Sequence, residues 1–324
     1  MTIIDNNQTT TKSNLYRFYY PIKPLLPRAL QLSLRRVIAS YKRKKYADVW
    51  PIDPKAAKKP ENWKGWPDGK KFAFIIQHDV DTQKGHDSCH KLMEIEKSLN
   101  LRSFFSFVPE RYNVSTTLQK EMKKQGFGVG IHGLKHDGKL FSSEAYFRES
   151  AVKINQYIRE WDISGFTSPS MHHNLDWMHY LNIKYSTSTF DTDPFEPDPK
   201  GAGTIFPYFV RRNKNHNGFV ELPYTLPQDH LLYIILKEKN IDIWKKKLDW
   251  IAEQGGMALL NSHSDYMNFD NSKQGREEYP VHLYIEFLEY INKKYANQYW
   301  HILPGEMEEF WIENVVRSSQ RSDI

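Results

Sequence analysis

From residue 72 onward, short apolar runs of strand length alternate with longer amphipathic stretches. The first is the clearest: Phe72 to Ile76 is unbroken, aromatic and β-branched, as in a strand buried on both faces. Similar runs predict strands near 72–78, 102–108, 127–131, 164–168, 183–188, 218–222, 257–262 and 299–303. Helical periodicity predicts helices near 84–99, 115–125, 144–160, 174–181, 240–255, 278–297 and 305–317. This alternation argues for βα units around a parallel sheet. Seven or eight such units closing on themselves would make a barrel, and an open doubly wound sheet is the alternative. No glycine-rich phosphate loop follows any strand, which weakens a nucleotide-binding reading.

Polar residues collect where these strands end. Phe72–Ile76 runs into Gln77, His78, Asp79, Val80 and Asp81. The run 127–131 ends in His132, with His136 four residues on. If that segment turns helically, the two imidazoles share a face and reach one ion. With a carboxylate from another strand end they would complete three protein ligands, leaving a position for water. Asp81, His132 and His136 are the expected ligands, which leaves Asp79 free to take a proton. The competing reading has Asp79 or Asp81 capping the next helix and the histidines in a loop. Further strand ends carry Ser170, His172 and His173, then Asp191 and Asp193, then Tyr224, Gln228, Asp229 and His230, and finally Asn261, His263 and Asp265. One face of a catalytic barrel is expected to show such a distribution.

These residues resemble the polysaccharide deacetylases of carbohydrate esterase family 4, over roughly residues 70–305. Asp79-Val80-Asp81 is similar to a variant of the family's first motif, which holds a base aspartate and a metal-binding aspartate. His132 and His136 match its second motif, and Leu260-Asn-Ser-His263 its late Leu-x-x-His motif. Phe105-Ser-Phe-Val-Pro-Glu110 resembles the family's second strand. The resemblance implies a distorted (β/α) barrel of seven or eight strands and a metal-dependent N-deacetylase acting on an amino sugar of a surface polysaccharide or its precursor. It implies Asp79 as base, His263 as acid and a backbone N–H near Ser170 at the oxyanion. Zinc is the first expectation for the metal, with nickel, cobalt or iron compatible. Thr167 stands where the family carries an arginine that holds the base, and Ser170 where it carries an aromatic residue. The fourth motif is not clearly present, and Asp191 or Asp193 is a candidate substitute. Ser170, His172, His173, Asp191, Asp193 and Tyr224 are the candidate substrate contacts. The alternatives are a deformylase or amidase on the same barrel and a non-catalytic glycan-binding barrel.

Charge and composition add a second feature. Residues 1–60 carry 13 Lys and Arg against three acids, whereas the 324-residue chain as a whole is only +6. Aromatic residues lead (Tyr16, Phe18, Tyr19, Tyr20), and after Pro27 Leu30, Leu32, Leu34, Val37 and Ile38 interleave with arginines and lysines up to Lys45. A basic helix with an apolar face is expected over 28–45, docked on the body, lying on an anionic membrane surface or, least expected, touching nucleic acid. The expected organisation is a basic, partly helical extension and linker over 1–66, a barrel over 67–318 and a tail over 319–324. The single cysteine, Cys89, excludes an internal disulfide and suits a reducing compartment. No apolar run reaches about 18 residues. With no secretory pattern at the N-terminus, a cytoplasmic location is expected, peripheral to the inner membrane face if the leader binds lipid.

Overall fold

The computed structural model describes residues 27–61, 63–196, 201–212, 217–270 and 273–318. The aromatic residues 16–20 and the tail 319–324 lie outside the described residues. Helix α1 (Arg28–Lys45) comes first. The βα units follow: β1 (Phe72–Val80), α2 (Gln83–Ser98), β2 (Phe104–Phe107), α3 (Thr116–Lys124), β3 (Gly128–His132), α4 (Glu144–Glu160), β4 (Gly165–Thr167), α5 (Leu175–Met178) and β5 (Tyr185–Ser186). Then come β6 (Tyr208–Arg211), β7 (Gly218–Glu221), a π-helical segment (His230–Ile235), α6 (Asp242–Gln254) and β8 (Met257–Ser262). The short pair β9 (Met267–Asn268) and β10 (Tyr279–Pro280), α7 (His282–Lys294), β11 (Tyr299–His301) and α8 (Pro304–Trp311) complete the order.

Parallel pairing runs β8–β1–β2–β3–β4–β5–β7. A bridge between Leu226 and Leu260 joins the far end back toward β8, so seven strands curl into a distorted (β/α) barrel. Strand β11 pairs with the first half of β1 and β2 with its second half, so β1 is flanked along its whole length. All nine β1 residues are buried, as its apolar run implied. Each of the eight expected strands lies in this sheet. The sequence pattern missed β6, a four-residue antiparallel partner of β7, because Tyr208-Phe-Val-Arg is too short to show a period.

Local chemistry sets the helix ends. Ser115 and Ser143 cap α3 and α4 through their hydroxyls. Gly255 ends α6 in the left-handed region at φ 76°. Residues 51–70 are pinned to the barrel: Ala56 is fully buried, its carbonyl accepts from Ile205 N, and the Trp66 indole donates to the Gly255 carbonyl at 2.9 Å. Trp63 and Trp66 stack into a cluster with Phe206, Phe310 and Trp311. Such aromatic clusters bury large apolar areas, so this segment is part of the core.

Candidate active site

Strand alternation sorts the β1 terminus. Gln77, Asp79 and Asp81 fall on one face, and His78 on the other. His78 is fully buried away from the site, bonded to Glu96 through Nε2 at 2.6 Å and to Ser262 through Nδ1 at 2.9 Å. The opposite face carries the candidate ligands. His136 Nε2 and His132 Nε2 lie 3.1 Å and 3.3 Å from Asp81 Oδ1. Among the described residues, these three are the one group of His, Cys, Asp and Glu clustered closely enough to hold a metal.

The residues fit a divalent cation. Tetrahedral bonds of about 2.0–2.2 Å place neighbouring ligand atoms about 3.3–3.6 Å apart, near the separations found here. Apart from the two imidazoles, Asp81 Oδ1 is buried without a hydrogen-bond partner, and a buried carboxylate oxygen calls for a compensating charge. Burial works to raise the Asp81 carboxyl, yet the imidazoles of His136 and His132 hold it well below the usual carboxylate range. His132 is raised: burial opposes its charge, but Asp79 and Asp81 outweigh that.

The two histidines converge without a helix. Residues 133–138 form an irregular loop, with Gly133 at φ 63° and His136 at φ 52°. A Cβ on Gly133 would also meet Pro169 Cγ at 2.4 Å. The i, i+4 spacing therefore works here through a left-handed turn that the glycine permits.

Asp79 lies beside this group, 3.7 Å from His132 Nδ1. Its Oδ1 accepts from Ser106 Oγ at 2.6 Å and Gln77 Nε2 at 3.0 Å, and its Oδ2 accepts from Asn261 Nδ2 at 2.9 Å. Gln77 Nε2 also donates to Thr167 Oγ1 at 3.2 Å, and Thr167 pairs with Thr187 at 2.6 Å. A neutral amide thus bridges Thr167, where the resemblance implies an arginine, to Asp79.

His263 ends β8 next to these carboxylates. Its Nδ1 contacts Asp229 Oδ1 at 2.7 Å, and its backbone N–H donates to Asp229 Oδ2 at 2.9 Å. Asp229 also accepts from the Tyr279 hydroxyl and from His230 N. Burial disfavours the imidazolium, but Asp229 overrides it, with help from Asp81 and Asp79, and His263 is raised to about 10. The His263 contribution to stability is therefore complete below the ordinary value of 6.5 and lost as pH rises through about 10. Asp265 fixes the β1–α2 corner by accepting from Asp81 N at 2.9 Å and from the Thr82 hydroxyl.

The other candidates divide. Ser170 is exposed in the left-handed region at φ 56°, directly after Pro169. His172 lines a cleft with His136, Lys135, Tyr146 and Pro169, and His173 Nδ1 contacts the Met171 carbonyl. Asp191, Asp193 and Tyr224 are buried, each beside a protein partner. Asp191 pairs with the buried Lys247 ammonium at 2.5 Å, and the Tyr224 hydroxyl donates to Glu196 at 2.7 Å. Burial pushes the Asp193 carboxyl well above its usual range, next to Glu196. Lys247→Met should strand the Asp191 carboxyl and cost about 3–5 kcal/mol in urea denaturation. The double variant Lys247→Met/Asp191→Leu should recover much of that loss.

No protein-family model matches the sequence, and no curated protein matches it. Solved structures do. A protein from Mycobacterium smegmatis assigned as a polysaccharide deacetylase aligns with a TM-score of 0.61 at 16% identity, over 81% of this chain and 96% of that one. The allantoinase PuuE aligns with a TM-score of 0.60 at 14% identity, over 82% and 98%. A Pseudomonas aeruginosa PAO1 protein, also assigned as a polysaccharide deacetylase, gives the same figures: 0.60, 14%, 82% and 98%. What this chain shares with all three is the fold, the distorted (β/α) barrel on which those deacetylases and that allantoinase are built.

Proposed function

We infer that the chain is a metal-dependent amide hydrolase that removes acetyl from an amino sugar of a surface polysaccharide or its precursor. One observation carries the reading: a three-ligand group, a separately held carboxylate and a carboxylate-paired histidine meet at one end of the barrel. The likeness to structures assigned as polysaccharide deacetylases supports it.

A divalent cation on Asp81, His132 and His136, zinc first among those that fit, would polarise the amide carbonyl and make a water acidic. Asp79 serves as the base. Three neutral donors fix its two oxygens and leave lone pairs for the proton of the attacking water. The water oxygen adds to the carbonyl carbon, and a backbone N–H near Ser170 faces the developing oxyanion. His263, cationic at neutral pH and held at Nδ1 by Asp229, gives its Nε2 proton to the departing nitrogen as the C–N bond breaks. Acetate and a free amine result. Ser170 and His172, at the rim, are the sugar contacts in this reading.

The acid role sets a pH limit. Activity should fall as pH rises through about 10, where His263 loses its proton. Asp229→Asn removes the carboxylate that raises His263, so a pH–rate profile should show this limb moved to lower pH. A profile that Asp229→Asn leaves in place would remove His263 from the acid role.

The test is acetate release from a panel of nucleotide-, lipid- and oligosaccharide-linked N-acetyl sugars, with and without chelator. Turnover that vanishes on chelation and returns with metal is expected. The allantoinase likeness favours a second reading, opening of a cyclic amide, so allantoin belongs in the panel. Glycan binding with no turnover on any substrate would leave a binding barrel instead.

A further inference from the structure

Helix α1 is mounted with its apolar side outward. Its inner side touches the body through Leu32 and Ala39, both buried, and through cations. Arg36 donates to the Ile234 carbonyl at 3.1 Å and Lys42 to the Pro194 carbonyl at 2.7 Å, while Arg28 pairs with Glu277 and Arg43 with Glu238. The outer side carries Leu30, Leu34, Val37, Ile38 and Tyr41, all exposed, with Val37 at 68% and Tyr41 at 67%. At 3.6 residues per turn these five fall within an arc of about 100°. Lys44 and Lys45 extend the same face at its C-terminal end, and both are exposed. Isolated exposed apolar residues are ordinary, but a continuous stripe on a surface helix marks a contact site.

Charge selects the occupant. Residues 1–60 hold 13 Lys and Arg against three acids, so a second copy on this face would bring two strongly cationic segments together. An anionic lipid surface meets both features: the stripe enters the headgroup boundary, and the lysines face lipid phosphates. No helix among the described residues is long and apolar enough to cross a membrane, so the contact lies in the membrane plane. We propose that the outward face of α1, Leu30 to Tyr41 with Lys44 and Lys45, docks this protein on an anionic membrane interface. Because the arginines and Lys42 lock the inner side to the body, the helix is presented ready-folded and pays little ordering cost on binding. The proposal does not depend on the reaction assigned above.

Flotation of the full chain with vesicles of phosphatidylcholine alone or with about one-third phosphatidylglycerol tests it. Binding to the anionic vesicles is expected, falling with added salt. Val37→Glu/Tyr41→Glu should lose it by about tenfold or more, with an unchanged thermal midpoint because both positions are exposed. Lys44→Glu/Lys45→Glu should reduce the preference for anionic over neutral vesicles. No binding by the full chain, binding that survives Val37→Glu/Tyr41→Glu, or a solution dimer that this variant dissolves would each overturn the proposal.

Discussion

Asp79→Asn should lower kcat for acetate release by about 10²–10⁴-fold, the usual worth of a positioned general base. The substitution is nearly isosteric, but an amide cannot take a proton from water. One of its faces also becomes a donor, set against the donors Gln77, Ser106 and Asn261. The side chain is expected to turn or lose a bond, so a modest stability cost should accompany the loss. Metal content should not change, because Asp79 lies outside the ligand group. That pairing of lost turnover with retained metal separates a base from a ligand. An Asp79→Asn protein that turns over normally would assign the proton to another group.

His132→Ala should remove both metal and activity. It deletes one of three protein ligands from a strand end that is 1% exposed, where water replaces an imidazole poorly. Asp81 then faces only His136, and the remaining pair is too few for a stable site. Metal analysis after dialysis should show substoichiometric binding, and added metal should restore little turnover. The same variant removes the imidazole that sits against both Asp79 and Asp81, leaving two buried carboxylates with less compensating charge. Its metal-free form should therefore be less stable, so the metal readout is made on protein whose folding is first checked by circular dichroism.

Much of this was legible in the chain. The continuous apolar run of β1, followed by acids two apart, marked both a buried strand and the face its acids share, because alternation needs no tertiary information. Gln77 stands two residues before Asp79 on that same face, so its partnership was in principle visible. Ser106 was not: it meets Asp79 only because β1 and β2 pair in that register. Asp229 was hidden in the same way. It stands in a polar loop at the start of a π-helical segment, and only the return of the chain to β8 shows that it holds His263. The inward partners of Asp191 and Tyr224, Lys247 and Glu196, were hidden as well, because a polar residue after a strand can also turn inward. The basic helix was evident from its sequence, but not which side it turned to the barrel. The ion pairs with Glu277 and Glu238 decide that, and both acids lie more than 190 residues away in the chain.

Crystals of the full chain grown with zinc, with anomalous diffraction collected across the zinc edge, would locate the ion directly. One peak about 2.0–2.2 Å from an Asp81 carboxylate oxygen and from a nitrogen of each of His132 and His136, with Asp79 unbound, is the expected map. A protein saturated with zinc that shows no peak there, or one bound through Asp79 instead, would contradict the hydrolytic assignment.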